Sequence, residues 1–141
     1  MKLEDQVCSL ELAKKLKELE IEQDSHFYWW VNEETGEIAC MTPKPTAFNL
    51  VGVEDRLSIY SAFTVAELGE MLPRYLNEPG VKFGFKKKLH IWSDLRTIDY
   101  IREFNTGGSE ATIPICGKTE ADVRAKMIIF LLENKIPLDI K

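Results

Sequence analysis

The stretch that most limits what this chain can become is "TEADVRAKMIIFLLEN", Thr119 to Asn134. From Met127 to Leu132 it is apolar without a break. A helix with apolar residues all round cannot rest one stripe on a core and leave the rest in water, so it must be covered on most sides. Its limits are written locally. Thr119 is placed to cap the first turn, with Asp122 at the third helical position; Asn134 can end the helix and Pro137 prevents it from resuming. A helix of this kind needs a layer to lie on, and the rest of the sequence supplies strands for one.

Two further segments read as helices. In "SLELAKKLKELE", Ser9 is the N-cap. Leu12, Ala13, Leu16 and Leu19 share one face, and Glu11 and Lys15 form an i,i+4 pair. In "FTVAELGEML", Thr64 and Glu67 have the spacing of a capping box, Phe63 and Leu68 occupy the hydrophobic-staple positions, and Pro73 marks the end.

Between the helices lie strand signals. "FYWWVNEETGEIACM" reads as a hairpin whose turn, "NEETGE", has Gly36 free to take positive φ. If Asn32 and Glu37 close the turn, Val31 faces Ile38 and Trp29 faces Cys40 on one side. Trp30 then faces Ala39, and Tyr28 faces Met41, on the other. "RLSIYSAF" is a short strand, after a Pro-rich connector. "VKFGF" and "LHIW" read as strands around Lys86–Lys88, and "TIDYIREF" and "ATIPIC" flank a second turn, "NTGGSE". Pro114 places the last of these at a sheet edge. The order predicts a single α+β domain over 1–141: one antiparallel sheet with three helices, the C-terminal helix (about 119–134) packed centrally on it.

Length and charge bound the function. A chain of 141 residues can bury roughly 68–70% of its unfolded surface as one domain. A net charge of −5 opposes broad attraction to nucleic acid or anionic membrane. No apolar run approaches the roughly 20 residues of a membrane span, and the charged start "MKLEDQ" lacks a signal peptide's apolar core. Cys8, Cys40 and Cys116 are widely spaced with no C-x-x-C pair, and only His26 and His90 are available beside them. No zinc-ligand spacing can be drawn, and a cytoplasmic protein with inert thiols, no metal and no cofactor is expected.

Four stretches invite a functional reading. Gly117-Lys118-Thr119 stands between a strand signal and a helix start, as in a phosphate loop. That pattern needs glycine five residues earlier, where Thr112 stands, and Pro114 removes an amide donor, so a glycine turn before a capped helix is the reading. "VKFGFKKKLHIW" interleaves Lys82, Lys86, Lys87, Lys88 and Trp92 with further aromatics, as a nucleic-acid-binding strand does. Three adjacent lysines are more often a solvated turn or a protected edge. His26 and His90 fall in predicted strands near tryptophan, and a lone strand histidine is more often structural; no reaction is nominated.

The fourth is the run His26 to Trp30. Both faces of its hairpin are apolar. The commoner outcome is burial on both sides. The alternative is that one face, carrying Tyr28, Trp30 and Met41, is a protein or self-association surface, with a small-ligand platform third.

The segments "VCSLELAKKLKELE", "YSAFTVAELGEMLP" and "TEADVRAKMIIFLLEN" together resemble a family of short uncharacterised proteins of phages, prophages and mobile elements of gut Bacteroidetes. The resemblance covers the three helices and their caps. It implies a cytoplasmic accessory protein of bacterial or phage origin and transfers no site residue. The expected function is therefore a non-enzymatic accessory protein that binds an unknown protein partner or itself, as a possible homodimer. A nucleic-acid-associated factor using 82–92 is the alternative, and an enzyme of unknown reaction comes third.

Overall fold

The computed structural model describes residues 2–41, 57–73, 75–76, 85–92, 95–103, 109–111, 115–136 and 138. In chain order these form α1 (Leu3–Gln6), α2 (Leu10–Glu18), β1 (Tyr28–Asn32), β2 (Ile38–Met41), β3 (Leu57–Ser61) and α3 (Val65–Met71). Then come β4 (Tyr75–Leu76), β5 (Phe85–Trp92), β6 (Leu95–Glu103), β7 (Ser109–Ala111), β8 (Ile115–Gly117) and α4 (Glu120–Glu133).

Helix α4 starts and stops where its caps direct. Thr119 Oγ1 accepts the Asp122 amide at 3.1 Å, and Asn134 at the far end donates its N–H to the Phe130 carbonyl. Ala121, Ala125 and Ile128 form one buried row, and Val123, Met127 and Leu131 another. Two rows at spacings of three and four make a wide buried arc, which is why the helix is apolar on so many sides. It packs on β6 and β8 and against α1, α2 and α3, the central position expected of it. Its hydrophobic cluster takes in Ile98 from β6, Trp29 from β1, Phe63 and Leu68 around α3, and Leu16 from α2.

Helix α3 has the full capping box: the Glu67 amide donates to Thr64 Oγ1 at 3.2 Å, and the Thr64 amide to Glu67 Oε1 at 3.1 Å. Phe63 and Leu68, the staple pair, are both fully buried. Thr64→Ala orphans a helix amide and should lower the unfolding free energy by roughly 0.5–2 kcal/mol. An unchanged urea midpoint would mean that the box does not anchor this helix.

At α2, Ser9 caps with a long 3.4 Å bond from the Leu12 amide, and its own amide donates to Asp122 Oδ1 at 2.7 Å. Asp122 thus ties the starts of α2 and α4 together. Lys15 does not pair with Glu11 as expected. It lies 3.9 Å from Glu18 and 3.6 Å from Glu133, drawn to an acid that only the packing of α2 on α4 brings near.

Among the described residues the strands make two antiparallel sheets where one was expected. The smaller has the order β2-β1-β3; the larger runs β4-β5-β6-β7, with β8 also pairing with β6. The hairpin register is the one read from the sequence, Val31 with Ile38 through Tyr28 with Met41. Its turn closes by Asn32 N–H to the Glu37 carbonyl at 2.9 Å, with Gly36 at φ 77°. Lys86–Lys88 do not form a turn between two strands. They lie inside the continuous β5, in register with Ile101, Tyr100 and Asp99 of β6. The "NTGGSE" turn lies largely outside the described residues, as does Pro114, although β7 and β8 both occupy the outer side of β6.

Candidate functional site

The small sheet carries three cross-strand rows on the face of Tyr28 and Trp30. Met41, Tyr28 and Ser61 form the first, Ala39, Trp30 and Ile59 the second, and Glu37, Asn32 and Leu57 the third. The rows differ in cover. Tyr28 is only 2% exposed and Ser61 is wholly buried. The Tyr28 hydroxyl accepts the Ser25 amide at 3.2 Å. One row on, Trp30 and Ile59 are half-buried and Ala39 is exposed. The indole N–H of Trp30 is out of water and meets no acceptor among the described residues.

Tyr28 therefore is not part of an open contact face: its burial agrees with the commoner outcome and removes it from the alternative surface of Tyr28, Trp30 and Met41. The same alternation that pairs it with Trp30 holds, but the cover over this face reaches Tyr28 and stops short of full burial at Trp30. Met41 is placed by its backbone in the Tyr28 row; its side chain lies outside the described residues. The opposite face is core at its base: Trp29 is 8% exposed, donates its indole N–H to the Cys8 carbonyl at 2.9 Å, and belongs to the central cluster. Toward the tip, Ile38 is 54% exposed. Ala39 and Ile59 are the residues that inspection of the sequence missed as parts of this site. The hairpin register was enough to find Ala39; Ile59 needed the long-range pairing of β3 with β1.

The basic segment is placed only in part. Lys82 lies outside the described residues, while Lys86, Lys87, Lys88 and Trp92 lie in β5. Register sets His90 in a row with Thr97 and the exposed Cys116, and Leu89 in a row with the buried Ile98.

Gly117-Lys118-Thr119 is the strand-to-helix connection. A Cβ on Gly117 would come within 2.9 Å of Val123 Cγ2, so glycine here lets β8 close on α4. A cleft of about 560 Å³ opens between the starts of α3 and α4, lined by Asp5, Thr64, Lys118 and Glu120 among others. The capping oxygens of Thr64 and Thr119 are already engaged with helix amides, and two carboxylates face the one lysine.

Burial pushes the Cys8 thiol up to about 12, and that of Cys40 up to about 11 with help from nearby Glu4. Both stay protonated at neutral pH and are poor nucleophiles. His26 is exposed and precedes β1 instead of lying in it; His90 is in β5. Among the described residues no group of three His, Cys, Asp or Glu side chains could hold a metal ion, and no helix is long and apolar enough to cross a membrane.

Comparison with protein-family models, with curated proteins and with solved structures finds no match.

Proposed function

We propose that this is a non-enzymatic accessory protein that works by binding protein, with the row Ala39, Trp30 and Ile59 as its contact surface and a homodimer as its simplest assembly. The observation that carries the reading is Trp30, a tryptophan only half-buried in the middle of a row whose other members, Ala39 and Ile59, are apolar and also reach water. Tryptophan brings large area at small entropic cost. The phage or mobile-element origin and the cytoplasmic location rest on the resemblance of the three helix segments; the genes beside this one test both.

Trp30→Ala should leave the fold intact and shift a dimer toward monomer in sedimentation over a concentration series. A chain that stays monomeric throughout, with Trp30→Ala as destabilising as Trp29→Ala, would place Trp30 in the core and end this reading.

The gathering of Lys86, Lys88, His90 and Trp92 in the one strand β5 favours a second reading, a single-strand nucleic-acid surface. Salt-dependent binding of a single-stranded oligonucleotide, weakened by Lys88→Glu, would support it; binding untouched by that substitution would not.

A further inference from the structure

The outer edge of β3 shows a device made by backbone groups, distinct from the side-chain row that Ile59 shares with Trp30. Among the described residues β3 pairs only with β1. The Ala62 amide donates to the Phe27 carbonyl, which fixes Trp29–Tyr60 and Val31–Ser58 as the pairs that exchange hydrogen bonds with β1. Leu57, Ile59 and Ser61 therefore turn their backbone N–H and C=O groups outward. The strand, "LSIYS", has neither charge nor proline, so its own sequence does nothing to discourage another strand from adding there.

Side chains from elsewhere occupy that edge. The Ser61 amide donates to Gln23 Oε1 at 2.9 Å, and Lys17 Nζ donates to the Ile59 carbonyl at 3.2 Å. Lys17 is fixed further by the Tyr60 ring, whose centre lies 5.0 Å from its Nζ. The two side chains come from either side of the turn at Glu20, which takes φ 65°. Among the described residues no backbone hydrogen bond joins 19–25 to β3, so the closure is made by side chains.

We infer that Lys17 and Gln23 are gatekeepers that hold the outer edge of β3 closed to strand addition by a second copy of this chain. β3 is complementary to itself. A two-fold axis at Ile59 sets Leu57 opposite Ser61 and Ile59 opposite its own copy, and all three positions present outward hydrogen-bonding groups. The lysine adds a repulsive element, because the same axis would bring two Lys17 ammonium groups together at the joined edges.

Two measurements test this. In Gln23→Ala, hydrogen exchange at the Ser61 amide should speed up about tenfold, the loss expected for one modest hydrogen bond. The Tyr60 amide, which faces β1, should not change. Equal rates at Ser61 in both proteins would overturn the inference even if further variants failed to fold.

The double variant Lys17→Ala/Gln23→Ala should gain concentration-dependent dimer in sedimentation. Adding Ile59→Pro, which removes an outward amide that an edge strand can spare, should abolish that dimer, while adding Ile59→Ala should not. A dimer lost equally in both would belong to the Trp30 row, and a double variant that stays monomeric with its fold intact would show that the edge needs no gatekeeper. Either result sinks the inference.

Discussion

Trp29→Ala should lower the unfolding free energy by about 3–5 kcal/mol, as large-to-small changes at buried aromatics do. Two losses combine. The ring leaves a space between Cys40 and Tyr60, its register neighbours on β2 and β3, inside the cluster that also holds Leu16 and Met127. The indole N–H leaves the Cys8 carbonyl, whose own residue donates its amide to Phe63 at 2.9 Å. Trp29 therefore joins the small sheet to the segment between α1 and α2, and removing it loosens both. Trp29→Phe separates the two terms: it keeps most of the packing and should cost about 1–3 kcal/mol for the unsatisfied carbonyl. Urea unfolding with a loss well below 1 kcal/mol for Trp29→Ala would put this face of the hairpin outside the core.

The hairpin shows how far sequence carries. Strict alternation plus a turn with glycine just before its closing residue gives the register, and all four pairs from Val31–Ile38 to Tyr28–Met41 stand as read. Alternation assigns sides; it is silent on how far a covering layer extends along a side. Tyr28 and Trp30 are equivalent by parity, yet one is 2% exposed and the other only half-buried. That difference comes from tertiary packing, and no local spacing records it.

The helices divide in the same way. Thr64, Glu67 and Thr119 act within three residues of themselves, so their roles are legible, and the structure has each bond. The bond from the Ser9 amide to Asp122 spans 113 positions, and nothing near either residue announces it. Helix α1 is a single turn of four residues without a side-chain cap, too short to show a period. The lysine run misled for a physical reason. Three adjacent charges interrupt the apolar alternation that flanks them, although β5 runs through all three in register with β6. The split into two sheets was also hidden, since it is set by β1 pairing with β3 beyond a long connector. Nothing local to Lys17 or Gln23 signals their role; only the pairing of β3 reveals what they reach.

The second large effect tests the rotation of the central helix. Leu131→Ala should lower stability by about 2–5 kcal/mol, from lost burial plus the cavity that the surroundings fail to fill. Leu131 is wholly buried, one position from Leu132, which is only partly so. It ends the row Val123, Met127 and Leu131, and its carbonyl accepts the Ile136 amide at 2.8 Å where the chain leaves the helix. The backbone bond survives the substitution, so the measured loss reports packing. Leu132→Ala removes the same atoms from the same helix and should cost distinctly less, because water already reaches part of that side chain. The apolar run Met127–Leu132 alone treats the two leucines as equals. Equal losses in urea unfolding would mean that the helix is turned from the orientation described, and the reversed order would mean that the Leu132 side faces the sheet. A large loss at 131 with a small one at 132 fixes the helix on β6 and β8 by the row it buries.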